Sequence, residues 1–234
     1  MSDPKYAVAL APVHSLAIAG SGERFPVNRI FCVGRNYAAH AREMGQDERE
    51  PPFFFMKPAN AAVDASAAVT IPYPSMTSNF HHEVELVVAI GTGGANVSME
   101  HAESLVFGYA VGLDMTRRDL QFAARDKGRP WEFGKSFDAS APIGAITPIA
   151  KSGALKGGAI SLAVNQVSKQ SSDLSLMIWS VAESIAYLSK YEALQPGDVI
   201  MTGTPEGVGA VKAGDVMHAR IAGLEEITVR VAGG

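Results

Sequence analysis

The chain has 234 residues, 47% of them hydrophobic, and carries 20 Lys and Arg against 24 Asp and Glu, a formal charge of −4 at pH 7. That length suits one large domain with an ample core, and the balance offers no basic surface for nucleic acid or an anionic membrane, so a small molecule is the expected partner. Cys32 is the single cysteine, which rules out an intrachain disulfide; with no leader-like start and no apolar stretch near the ~20 residues of a membrane span, the chain reads as soluble and cytoplasmic.

Residues 1–27 read as a short arm or hairpin and 28–234 as one main domain. "RIFCVG" is the first strand signal, with Cys32 inside it as a core residue, and Asn36 is placed to cap a short helix through "YAAHAREMG", where His40 and Glu43 share one face. "PPFFFMKP" reads as a strand, "FHHEVELVVAI" as another, and "SLVFGYAVGLDMT" as a third with Phe107, Tyr109, Val111 and Leu113 on one face and Asp114 closing the other. "RRDLQFAARDKG" has helical character up to Gly128. Four further strands follow in "AISLAVNQV", "DVIMTGTP", "VMHARIAG" and "ITVRVA". They are interrupted by an amphipathic helix with Asp173 as its cap and Ile178, Val181, Ala182, Ile185 and Leu188 as its apolar stripe. Many strands and few helices, without regular alternation, predict an α+β, β-rich roll or sandwich and not a doubly wound sheet.

Serine-hydrolase, dinucleotide, phosphate-loop and zinc-protease signatures all fail: "GKSFD" lacks the closing Gly of a nucleophile elbow, and Leu86 stands where H-E-x-x-H needs its second His. The unusual feature is the strand at 80–90. Alternation puts Glu83 and Glu85 on one face with Val87 and Ala89, and Val84, Leu86, Val88 and Ile90 on the other. Two readings fit. The pair lies on the exposed face of an edge strand, or it is buried and held with Asp114 by a hard divalent cation, Mg²⁺ or Mn²⁺ before Ca²⁺, because two unpartnered buried carboxylates would repel and resist ionisation.

"GRNYAAHAREMG", "PPFFFMKP", "HHEVELVVAIG", "GYAVGLDMTRRDLQ", "GKSFD" and "LQPGDVIMTGTPEGVG" stand in the order found in the fumarylacetoacetate hydrolase family, from about residue 29 to the C-terminus. The chain resembles that family over nearly its whole length. The resemblance implies a mixed β-sandwich roll with a few short helices, a homodimer, and one Mg²⁺ or Mn²⁺ per subunit held by Glu83, Glu85 and Asp114. It also implies His40 and Glu43 as an acid/base dyad on a short lid helix, Lys135 beside the metal, and Arg118, Gln121 and Thr204 as substrate contacts. One departure is Gln166 in "VNQVSKQ", where relatives commonly place Gly in a tight turn.

The family's substrates would be 2,4-dioxo acids, here fumarylpyruvate first, with acylpyruvates and oxaloacetate as alternatives. A second carboxylate on such a molecule would need a cation, and Arg35, Arg42 and Arg129 are the candidates. His81 is in phase with the two glutamates and is a weaker metal-ligand candidate, whereas His82 is out of phase and reads as a packing or supporting residue. Arg117 and Asp119 read as ion-pairing residues, and Trp131 and Trp179 as core or interface residues.

Overall fold

Strand Val84–Ile90 lies inside an eight-stranded mixed sheet, and all seven of its residues are buried. The computed structural model describes residues 5–37 and 50–233. Along the sheet the strands run Phe53–Lys57, Ile30–Gly34, Val199–Met201, Val84–Ile90, Val106–Leu113, Ala141–Ile143 and Ala62–Asp64, with Thr147–Pro148 also paired to Val106–Leu113. Val199–Met201 pairs parallel with Ile30–Gly34, and Ala141–Ile143 parallel with Ala62–Asp64; the other pairings are antiparallel. The two glutamates are therefore not on an edge.

The expected alternation holds. Val84, Leu86, Val88 and Ile90 face a core shared with a five-stranded sheet, where Ile160, Leu162, Met217, Ile221 and Val229 meet them. At roughly 1.5–3 kcal/mol per buried aliphatic side chain, that face contributes on the order of 6–12 kcal/mol before ordering entropy, enough to fix which way the strand turns whatever the acids prefer. Val87 and Ala89 face a second core, closed by the hairpin Ser15–Ala17 and Arg24–Pro26 through Leu16, Phe25 and Val27. Cys32 is fully buried there, as its setting predicted.

Two local expectations are corrected. The partner strand carries a bulge: Ala89 pairs with Gly108 and Ile90 with Val106, so Phe107 is the extra residue and turns into the second core against Phe25, away from Tyr109, Val111 and Leu113. Asp173 caps a single 3₁₀ turn, Leu174–Leu176, while the helix proper is Val181–Leu188, opened by a Ser180–Glu183 capping box. The helix that Asn36 was expected to cap lies outside the described residues; among those described, the Asn36 amide donates to Trp179 O and Thr202 O and accepts from Trp179 N.

The hairpin Ala159–Val164 to Val167–Asp173 closes through Asn165 and Gln166, both in the left-handed region with φ of 48° and 67°. That is the geometry of a two-residue turn matching strand twist, carried here by a residue with a side chain. Among the described residues no helix is long and apolar enough to cross a membrane.

Candidate active site

Glu83 sits at a handover. The chain leaves the small strand Phe80–His82, which belongs to a three-stranded sheet with Thr116–Arg117 and Gly209–Val211, and enters the large sheet at Val84. Asp114 makes the mirror-image transition on the neighbouring strand, and its N–H donates to Glu83 O at 2.9 Å. Two strands thus bring Glu83, Glu85 and Asp114 together by backbone pairing alone, with one ligand oxygen from each within 4.8 Å of the others, all buried.

Cations surround two of the three. Lys135 Nζ lies 2.8 Å from Glu83 Oε2 and 2.6 Å from Asp114 Oδ2, and Arg118 pairs with Glu83 Oε1. Lys135 arrives on the short helix Glu132–Lys135, which can press against helix Arg118–Arg125 because Gly134 lacks a Cβ that would come within 2.8 Å of Gln121 N. Burial opposes the charge on Lys135, but Asp114 and Glu83 outweigh it and raise its pKa, so it stands as an ammonium and not as a base.

Lys57, wholly buried on the Phe53–Lys57 strand, lies 2.8 Å from Asp114 Oδ1 and spends its donors on Met115 O, Lys135 O and Ser140 Oγ. Its role was not legible in the sequence, because every partner lies 57 or more positions away.

Among the described residues, Glu85 has no such cation. Gly203 N donates to Glu85 Oε2 at 2.8 Å, from a glycine at φ 95° whose Cβ would collide with Asn36 Cβ. Burial first, then the charges of Asp114 and Glu83, push its carboxyl well above the usual range. Asp114 Oδ1, for its part, meets the Lys57 ammonium at 2.8 Å as an ion pair and has no other donor among the described residues. A carboxyl held toward its protonated form by burial and by two other buried carboxylates, in an all-oxygen set whose ligand atoms lie within 4.8 Å of one another, fits a hard divalent cation. Glu83, Glu85 and Asp114 form a divalent metal site.

The two histidines stay outside it. His81 Nε2 faces Asn79 Oδ1 at 2.8 Å and its Nδ1 faces Arg118; burial and then Arg118 lower its pKa to about 4, so it is neutral and steadies the guanidinium. His82 meets Gln170 Oε1 at 3.0 Å. Gln170 also accepts from Val84 N and donates to Thr204 Oγ1 and Pro205 O, so one buried amide ties the small sheet to the loop that carries Thr204. Sequence reasoning passed over it, since a glutamine in a mostly exposed hairpin strand gives no sign of burial.

One cleft is lined by Glu83, Glu85, Asp114, Lys135, Arg118, Gln121, Thr204 and Arg35, which brings together the expected metal ligands, the lysine and the substrate contacts. His40, Glu43 and Arg42 lie outside the described residues, and Arg129 does not line the cleft. Phe53, Phe122, Arg125 and Trp131 also line it, as do Val33, Gly34 and Phe55, and were missed. Trp131 is thus a cleft residue, packed on Phe53 and Phe55. Asp119 accepts from Thr77 and Ser78 and forms no ion pair among the described residues, and Arg117 stacks on the Phe137 ring.

The chain matches the model of the fumarylacetoacetate (FAA) hydrolase C-terminal family over residues 29–232. It is 51% identical over 182 residues to fumarylpyruvate hydrolase from a Ralstonia species, covering 78% of this chain and 93% of that protein. It is 40% identical over 208 residues to an oxaloacetate tautomerase from Escherichia coli, covering 88% and 94%. The crystal structure of fumarylpyruvate hydrolase from Pseudomonas aeruginosa in complex with Mn²⁺ and pyruvate shares 54% identity and a TM-score of 0.94, covering 98% of this chain and 100% of that one. The chain belongs to the fumarylacetoacetate hydrolase family.

Proposed function

We propose that this protein hydrolyses the C3–C4 bond of a 2,4-dioxo acid, with fumarylpyruvate as substrate and fumarate and pyruvate as products, using Mg²⁺ or Mn²⁺. The observation that carries the reading is the buried Glu83, Glu85 and Asp114 set with a lysine ammonium against it, at the base of a cleft lined with arginine. The Ralstonia and Pseudomonas relatives, at about half identity, support the choice of substrate.

When bound, the divalent ion would supply Lewis-acid polarisation of the substrate's carboxylate and adjacent keto oxygen. Arg118, fixed by Glu83, Gln121 and neutral His81, is placed to hold the acid end of the substrate. Thr204, held by Gln170, offers a hydroxyl to the same end of the cleft. His40, oriented by Glu43, takes a proton from water, whose oxygen attacks C4; the C3–C4 bond breaks and its electron pair passes into the pyruvate enolate. The Lys135 ammonium stabilises that developing negative charge, and protonation at C3 releases pyruvate. The active species is a homodimer, which sedimentation of the purified protein would check.

The test is a panel of fumarylpyruvate, acetylpyruvate and oxaloacetate with the Mg²⁺- or Mn²⁺-loaded protein, following loss of enol absorbance and formation of fumarate and pyruvate. Fumarylpyruvate is expected to be cleaved fastest. Turnover of oxaloacetate alone would replace this reading with decarboxylation or tautomerisation at the same site, chemistry borne by the relatives at 40% identity.

A further inference from the structure

The far side of the cleft carries two guanidiniums that the chemistry above does not use. Helix Arg118–Arg125 turns Arg118, Gln121, Phe122 and Arg125 toward the cleft, the spacing of one helical face. Arg118 is locked to the metal ligand Glu83, whereas Arg125 lies over the Phe122 ring, 4.4 Å from its centroid, and forms an ion pair with Asp126, whose solvent exposure makes that pair weak and readily exchanged. Arg35 comes from the loop after strand Ile30–Gly34. Its backbone is held at φ 57°, a left-handed conformation rare outside Gly, Asn and Asp, next to the fully committed Asn36. Its guanidinium lies 5.4 Å from the Phe53 ring centroid and makes no ion pair among the described residues.

Burial, and after it the charge of Arg125, lowers the pKa of Arg35, so the two cations feel each other across the cleft. A like-charged pair on aromatic platforms is relieved by an anion between them. The dimensions agree: two helical turns separate Arg118 from Arg125 by about 10 Å along the axis, and six C–C bonds put the two carboxylates of an extended seven-carbon dioxo diacid ~7–8 Å apart, a gap that long arginine side chains span.

We propose that Arg125, together with Arg35, is the specificity-determining pair that receives a second carboxylate on the acyl half of the substrate, so that dicarboxylic dioxo acids are preferred over acylpyruvates with neutral tails. This rests on the reading of the site as a dioxo-acid hydrolase. Phe53, Phe122 and Trp131 then form the apolar sides of a slot suited to a flat, unsaturated tail.

The test compares full-length, Mn²⁺-loaded wild type, Arg125→Gln and Arg125→Lys with fumarylpyruvate and acetylpyruvate, and with fumarate and pyruvate as inhibitors. Arg125→Gln is expected to lower kcat/KM for fumarylpyruvate at least ~10-fold more than for acetylpyruvate, mainly through KM, the scale of one lost charge-assisted hydrogen bond. Inhibition by fumarate should weaken by a similar factor and inhibition by pyruvate by much less, with Arg125→Lys restoring part of the difference. Arg125 is exposed at the end of its helix, so the substitution leaves the core intact. Equal losses on both substrates, or none on either, overturn the pair while leaving the hydrolase reading in place. A wild type that cleaves neither substrate overturns both.

Discussion

Replacing Glu85 with Gln separates the metal site from the fold that carries it. The amide keeps an acceptor for Gly203 N–H and nearly the same volume, but removes one of three charges whose ligand atoms lie within 4.8 Å. At an effective dielectric of ~20, like charges at that separation repel by about 3.5 kcal/mol per pair. Glu85 has a raised folded-state pKa, so its contribution to stability is fully present below its ordinary carboxylate value and is lost as pH rises through the raised one. Urea unfolding without metal should therefore show Glu85→Gln at least as stable as wild type in alkaline buffer, with the difference closing on acidification. Metal should act oppositely: at one hundred times its Kd a divalent ion adds about 2.7 kcal/mol to the wild type, or ~5–11 °C in Tm for a chain of this size, and most of that gain should vanish in the variant. A variant less stable than wild type without metal in alkaline buffer, or one with an undiminished metal-induced shift, would refute the assignment of Glu85 as a ligand held under like-charge repulsion.

Lys57→Met removes one of the two ammonium groups on Asp114, leaving Lys135 in place, and strips a buried donor from Met115 O, Lys135 O and Ser140 Oγ; it should destabilise the protein by about 1–3 kcal/mol in urea unfolding, and no measurable loss would show that Lys57 is incidental. Gln166→Gly relieves a side chain at φ 67° and should stabilise by up to ~1 kcal/mol, whereas a loss would mean that the side chain makes a compensating contact. Cys32, its thiol pushed well above the normal range chiefly by burial, should resist a thiol reagent until the protein is unfolded; rapid labelling of the native protein would contradict the packing of the second core.

Period-two alternation was enough to assign each residue of 83–90 to its face, because side-chain direction in a strand is a local property. Whether that strand lay at an edge or inside depended on Val199–Met201, more than a hundred positions away, and nothing local could decide it. The same holds for Lys57 and Gln170, whose buried partners come from other layers. The bulge at Phe107 escapes alternation, which assumes an unbroken ladder, and Asp173 reads as the helix cap because Asp and Ser are both good caps and only the chain's path shows that Ser180 opens the helix. Arg125 was legible in principle, seven positions from Arg118 on one helical face, but a charged residue near a helix end ordinarily reads as a solvated one.

The anchoring acids hang from the backbones of two central strands, while Arg35, Phe53, Phe122, Arg125 and Trp131 come from a loop, an outer strand, a helix and the segment after it, all partly exposed. Grip and discrimination are thus mechanically separable. A combinatorial library confined to those five outer positions should diversify the acyl tails accepted while the inner anchor and the melting behaviour persist, which makes this scaffold a natural starting point for breeding new keto-acid cleavage catalysts.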